Sequence, residues 1–129
     1  MDNRSMPSAT IIPVLGYKDV SNAIAWLCRT FGFKERWRAG DHRAQLAFGN
    51  GAIAVNDQPG QISNLMVRVP YVDAHYEHAL AAGAQIIHPP ADYPYGERQY
   101  TVVDPGGHFW TFTESIDDLL PEDWGGVTS

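Results

Sequence analysis

The groups able to do chemistry in this sequence are few and scattered. Five histidines, His42, His75, His78, His88 and His108, stand among 129 residues, and their spacing builds no metal site. His75 and His78, three apart in a helical pattern, share a face but have no carboxylate partner there. His42 and His88 lie in or beside turns and His108 follows one, so structural or surface roles are expected for all five. Cys28 reads as a small buried apolar residue, with only Arg29 adjoining it to lower its pKa. No nucleophile elbow or phosphate loop occurs. What remains is a set of recognition groups. Arg68 carries a planar fork suited to an anion, or it pairs with an internal acid or reaches solvent. Glu97-Arg98 is either a polar contact at a cavity mouth or a surface ion pair. Trp37, Tyr93, Tyr95 and Tyr100 offer flat surfaces for stacking on a planar ligand, or serve as core or interface aromatics.

Length and composition restrict the partners of such groups. The chain suits one well-buried domain, and 44% hydrophobic with 12% aromatic residues is a folded composition. A net charge of −6 without a basic run argues against nucleic acid. No apolar stretch approaches the roughly 20 residues of a membrane helix. Met1 to Ser8 is polar and lacks the apolar core of a signal peptide, and a single cysteine fits a reducing compartment. A cytoplasmic protein is expected.

The elements that must position these groups recur. Residues 1–9 read as a disordered lead-in. Thr10 to Leu15 reads as a strand, with Pro13 pointing to an edge or end position. A helix follows, capped by Asp19 or Ser21 and closed by Gly32. Strands are expected at about 33–38, 42–48 and 52–56, punctuated by Gly40-Asp41 and Gly49-Asn50-Gly51. The pattern then restarts. A strand over 64–69 leads to a helix with Asp73 as its candidate N-cap and Gly83 at its end. A strand beginning at 84–87 precedes two more, 98–103 and 108–113, joined through Asp104-Pro105-Gly106-Gly107. His108, Trp110 and Phe112 alternate with Phe109, Thr111 and Thr113, which gives that strand one aromatic face and one partly hydroxylated face. Each half thus reads β-α-β-β-β. The second half has roughly five extra residues within 88–97, expected to be a ligand-covering loop or a longer surface connection.

Lys18-Asp19-Val20-Ser21, Phe31-Gly32-Phe33, Ala82-Gly83-Ala84 and Asp104-Pro105-Gly106-Gly107-His108-Phe109-Trp110, in this order across two repeats, resemble the vicinal oxygen chelate superfamily. That superfamily includes glyoxalase I, the extradiol dioxygenases and the bleomycin and fosfomycin resistance proteins. The resemblance covers about residues 10–114. It implies an α+β fold of two tandem βαβββ modules, about 10–57 and 62–114, forming an incomplete barrel around a cavity. Residues 115–129 then form an acidic tail, with Leu119, Leu120 and Trp124 as its anchors. A homodimer is also implied. The metal positions of the superfamily fall on Ile12, Ala54, Asn64 and Thr111. None is His, Glu or Asp, so no metal and no other cofactor is expected.

With those four positions marking the cavity face, alternation adds Val14, Asn56, Met66, Arg68, Phe109 and Thr113. Ile53, Val55, Leu65, Val67, Trp110 and Phe112 fall on the packed face. The expected ligand-binding residues are Asn64, Arg68, Thr111, Asn56, Phe109, Trp37, Tyr95 and Arg98. The reading that follows is a metal-independent small-molecule binder resembling the drug-sequestering resistance proteins, taking a planar or anionic compound. The alternative is a glyoxalase-like lyase or a dioxygenase with unusually placed ligands, drawn from His42, His88, His108, Glu97 or Glu114. A further alternative uses Glu97 as a metal-free base, which requires a raised pKa.

Overall fold

A computed structural model describes residues 1–128 and divides them into two compact units. Met1–Ser63 with Pro105–Gly107 form the first, and Asn64–Asp104 with the residues from His108 onward form the second. Each carries one helix and one four-stranded sheet, so the chain is an α+β protein of two tandem βαβββ modules. No helix among the described residues is long and apolar enough to cross a membrane.

In the first unit, β1 (Val14–Gly16) leads to α1 (Val20–Phe31). β2 (Lys34–Ala39), β3 (Arg43–Phe48) and β4 (Gly51–Asn56) then run as an antiparallel meander. The sheet order is β1-β4-β3-β2, with β1 parallel to β4. The first strand is shorter than Thr10 to Leu15. Pro13 stands just before it and still contributes, because its carbonyl accepts the Ala54 N–H at 2.9 Å. Asp19 is the helix N-cap, accepting from the Asn22 N–H at 3.0 Å. At the other end Gly32 takes φ +90°, a left-handed turn open to glycine at little cost. Ala23, Ile24, Leu27 and Phe31 form the buried stripe of α1, facing Leu15, Leu46, Ile53 and Val55 from the sheet.

The second unit repeats the plan with β5 (Asn64–Arg68), α2 (Val72–Ala81), β6 (Gln85–Tyr93), β7 (Glu97–Val103) and β8 (Phe109–Ser115), in the order β5-β8-β7-β6. Its helix begins two residues earlier than the sequence suggests. Tyr71 occupies the cap position without a side-chain bond. The acceptor comes instead from a strand: Glu114 Oε1 takes the Val72 N–H at 2.8 Å. Asp73 is thereby left in the first turn, where Arg98 pairs with it at 3.0 Å. A tertiary carboxylate has replaced the local cap, which no local pattern could reveal.

The inserted stretch is strand, not loop. β6 runs on through Pro89 and Pro90 to Tyr93, pairing Ala91, Asp92 and Tyr93 with Gln99, Arg98 and Glu97. The register slips between Ile86 and His88 and again between His88 and Ala91. Both prolines fall inside the second slip, on an edge strand, where a missing N–H breaks no regular ladder. The extended hairpin turns at Gly96, whose φ is +81°. Its carbonyl accepts the N–H groups of Ile116 and Asp117 at 2.9 and 3.3 Å, which draws the tail over the turn. A β-carbon here would stand 2.7 Å from the Asp117 carbonyl oxygen. Gly96→Ala is therefore expected to cost about 2–3 kcal/mol, from left-handed strain plus displaced backbone. Urea unfolding checks this, and a loss below the usual surface-substitution range of about 0.5 kcal/mol would remove the tail contact from the account.

The core of the second unit is aromatic. Trp110 and Phe112 are fully buried, and Tyr100 stacks on Phe112 at 5.4 Å. From α2, His75 lies 4.1 Å from Phe112 between ring centroids and hydrogen-bonds the Tyr100 hydroxyl at 2.5 Å. Burial pushes the Tyr100 phenol well above its ordinary value, so it remains a neutral hydroxyl. His75 is thus a core residue, while His78 on the same helix is exposed.

Candidate functional site

With Tyr100 and Phe112 turned toward α2, alternation sends their neighbours to the open face of the second sheet. Register places Asn64 opposite Phe109, Met66 opposite Thr111, and Arg68 opposite Thr113. On the next strand, Thr101 faces Thr111, Gln99 faces Thr113 and Glu97 faces Ser115. Gln99, Thr113, Glu97, Ser115 and Arg68 are joined, together with Tyr95, in one continuous polar array. The Tyr95 hydroxyl donates to Gln99 Oε1 at 3.0 Å, and Gln99 Nε2 donates to Thr113 Oγ1 at 3.1 Å. Thr113 in turn donates to Glu97 Oε1 at 2.7 Å. Ser115 donates to Glu97 Oε2, and Arg68 Nη1 reaches both Glu97, at 3.1 Å, and the Ser115 hydroxyl. Thr101 and Thr111 pair through their hydroxyls at 2.9 Å.

Glu97 is the hub of this array. Its side chain is 15% exposed, against 64% for Arg68. Burial alone pushes the carboxyl upward, but hydrogen bonds from Ser115 and Thr113 and the Arg68 charge outweigh it. The result lies below the ordinary glutamate value. A carboxylate held this way is a fixed acceptor and a poor proton acceptor, which is opposite to what a metal-free base requires. Arg68 Nε and Nη2 make no hydrogen bond among the described residues, and that part of the fork faces outward. Beside it lies a cavity of about 490 Å³ lined by Arg68, Val69, Pro70, Glu114 and Ser115.

The other sequence-predicted residues are placed differently. Arg98 sits on the helix side of β7, opposite Glu114, where Asp92 at 2.6 Å and Asp73 at 3.0 Å occupy its donors. Tyr95 lies in the β6–β7 turn, stacked on Tyr93 at 5.5 Å, with the edge of Trp124 from the tail also at 5.5 Å. Leu119 is half-buried near Gly96, while Leu120 is exposed. Asn56 and Trp37 belong to the first unit. Asn56 closes β4 opposite Gly16 and Arg43, and its carboxamide accepts the Gln58 N–H at 3.0 Å. Trp37 donates from Nε1 to the Ser5 carbonyl at 2.9 Å. Sequence reasoning passed over Thr113 and Ser115 as hydrogen-bonding partners of Glu97, and Gln99 as the residue that holds Thr113. The period-2 pattern of β7 carried that signal, since it puts Glu97, Gln99 and Thr101 on one face.

A divalent metal does not fit the positions at which the superfamily would hold one. Ile12 precedes β1 and Ala54 lies in β4, and neither has a donor atom. Asn64 is an exposed amide at the start of β5, and the Thr111 hydroxyl is already paired with Thr101. The alternative ligands are dispersed: His42 pairs with Asp57 at 2.9 Å, and Glu114 caps α2. His88 is exposed and His108 is buried at the foot of the β7–β8 hairpin. Among the described residues, no three His, Cys, Asp or Glu side chains are grouped to hold a metal ion. Cys28 is half-buried, and burial followed by the Glu35 charge pushes its thiol up, away from a nucleophile's range.

The comparisons agree with this architecture. TioX from Micromonospora sp. ML1 is 32% identical and superposes with a TM-score of 0.74 over 87% of this chain and 100% of its own. A lactoylglutathione lyase from Agrobacterium tumefaciens is 16% identical, with a TM-score of 0.72 over 84% of this chain and 94% of its own. A glyoxalase/bleomycin resistance protein/dioxygenase from Nocardioides is 20% identical, with a TM-score of 0.69 over 96% and 93%. The last two likenesses speak to fold alone. No curated protein matches the sequence. The sequence model of the Glyoxalase/Bleomycin resistance protein/Dioxygenase superfamily matches residues 11–112, and the chain belongs to that superfamily.

Proposed function

We propose that this chain is a metal-independent binder of small organic molecules that sequesters a planar or anionic compound. The reading includes a homodimer working in the cytoplasm. The observation that carries it is the array centred on Glu97, which holds Arg68 by one nitrogen and leaves the rest of its fork free beside a 490 Å³ cavity. A guanidinium fixed in advance loses less freedom on meeting an acidic or flat group than a loose one would. The exposed Asn64 amide adds a donor and an acceptor on the same face, beside apolar Met66 and Phe109, the usual composition of a small-molecule site. A lyase or dioxygenase would require convergent ligands with an open position for substrate, and no such group stands among the described residues.

Calorimetric titration with zinc, nickel, manganese and ferrous iron tests the metal half of the proposal. The expected result is no binding tighter than about micromolar, roughly −8.2 kcal/mol. A thermal-shift screen of planar and anionic compounds tests the other half. A true ligand at about 100 times its Kd stabilises by about 2.7 kcal/mol, roughly 10 °C for a chain of this length. Arg68→Ala is expected to weaken an anionic hit about tenfold or more while leaving the melting temperature of the free protein within a few degrees. One metal held tightly per chain would overturn the proposal in favour of the enzyme.

A further inference from the structure

The open face of the first sheet is filled by the chain's own N-terminal segment. Strict alternation along β2 would send Arg36 and Trp37 to opposite faces. The register slips between Glu35 and Trp37, however, so that both stand over Gln45. Arg36 Nη1 donates to Gln45 Oε1, and Arg36 Nη2 donates to the Arg4 carbonyl at 3.2 Å. Trp37 Nε1 donates to the next carbonyl, Ser5, at 2.9 Å. Gln45, itself buried, presents Nε2 to the Met6 sulfur at 3.4 Å. Pro7 follows, half-buried, and a cavity of about 220 Å³ opens between this segment and the small residues Ala47, Gly51 and Ala52.

Three features of this contact are those of peptide recognition. Two successive main-chain carbonyls are read by two fixed side-chain donors, which makes no demand on the side chains of Arg4 and Ser5. The following residue, Met6, is partly exposed and is met at its sulfur, which accepts from the buried Gln45 Nε2, a contact that suits a thioether. The floor is alanine and glycine, which lets a backbone lie close to the sheet. We propose that this face is a peptide-binding groove, occupied in cis by residues 3–8, and that its ligand is a linear peptide or peptide-like amide chain carrying a thioether residue before proline. The N-terminal segment acts as a tethered competitor. Its effective concentration is in the millimolar range, so modest contacts suffice to keep the groove closed until a tighter peptide displaces it. The proposal stands apart from the reading of the second sheet and survives or fails without it.

The test uses the full chain and a fluorescein-labelled peptide of residues 3–9, Asn-Arg-Ser-Met-Pro-Ser-Ala, followed by fluorescence polarisation. Met6→Gly with Pro7→Gly weakens the tether at positions outside every helix and strand, so the fold is retained and a thermal melt verifies it. The labelled peptide is expected to bind this variant at least tenfold more tightly than it binds the native chain. Adding Trp37→Phe to the variant removes one carbonyl donor and is expected to weaken binding about fivefold. Equal binding by the native and tether-weakened chains, or none by either, would overturn the proposal. Tighter binding that ignores Trp37→Phe would overturn it too, because the peptide would then sit elsewhere.

Discussion

Asp104→Ala is expected to lower the stability of the chain by about 3–5 kcal/mol, the largest loss from any single polar side chain considered. Asp104 is buried and spans the root of the β7–β8 hairpin. Its Oδ1 accepts the backbone N–H of His108 at 3.0 Å, and its Oδ2 accepts Nε1 of Trp110 at 2.9 Å. Its own N–H closes the hairpin on the His108 carbonyl, also at 2.9 Å. Alanine keeps that backbone bond and strands two buried donors. Each unsatisfied donor costs about 1–3 kcal/mol. Trp110 also anchors the aromatic core, so losing its indole acceptor frees a ring whose burial alone contributes about 2–3 kcal/mol. Asp104→Asn retains one acceptor oxygen, and about half the loss is expected. Equilibrium urea unfolding of the two variants provides the check. A loss under 1 kcal/mol for alanine would mean that water replaces the carboxylate and that the hairpin is held by its strands alone.

The same hairpin illustrates how much of this protein can be read in its sequence. Asp-Pro-Gly-Gly between two alternating runs carries enough local turn chemistry to fix the connection, and the alternation places Trp110 and Phe112 in the core. Gly32 and Gly83, both at φ +90°, mark the two helix ends, again through a backbone need that belongs to the residue itself. The repeat follows from these local signals. Non-local partners were not legible. Glu114 caps a helix 42 residues earlier in the chain, and Arg98 appears as a candidate cavity residue until Asp73 and Asp92 are seen to hold it. Slips in register escape in the same way. One slip puts Arg36 beside Trp37 over Gln45, and another carries β6 through a pair of prolines that read as loop. The residues on the open face of the second sheet were readable because β5 and β8 keep strict alternation. The hub was not, because Glu97 becomes one only when Thr113, Ser115 and Arg68 turn toward it.

Glu97→Gln is expected to cost about 1–3 kcal/mol near pH 7 and progressively less as the pH falls below the ordinary glutamate value of about 4.3. The carboxylate accepts bonds from Thr113, Ser115 and Arg68, and an amide keeps only one acceptor oxygen and loses the charge that orients the guanidinium. The pH dependence follows from the direction of its shift. Burial raises the Glu97 pKa, its hydrogen bonds and Arg68 lower it further than burial raises it, and the folded value lies below the unfolded one. The unfolded chain therefore takes the proton first. The contribution of Glu97 is complete above the unfolded pKa of about 4.3 and disappears as the pH falls through the folded value. Glu35, Asp57, Asp92 and Glu122 also have lowered values and make the native chain acid-sensitive on their own. They remain in the variant, so the informative quantity is the difference between the two stability curves from pH 7 to pH 3. That difference should begin to narrow below about pH 4.3 and keep shrinking as the pH falls. A gap that stays constant over the whole range would assign the loss to packing and hydrogen-bond geometry, with no part for the charge. In ligand binding the variant is expected to behave like Arg68→Ala at neutral pH, because an unanchored fork must be ordered again each time an anion arrives. Wild-type affinity in Glu97→Gln, with Arg68→Ala impaired, would separate the guanidinium from its anchor and reduce Glu97 to a structural role.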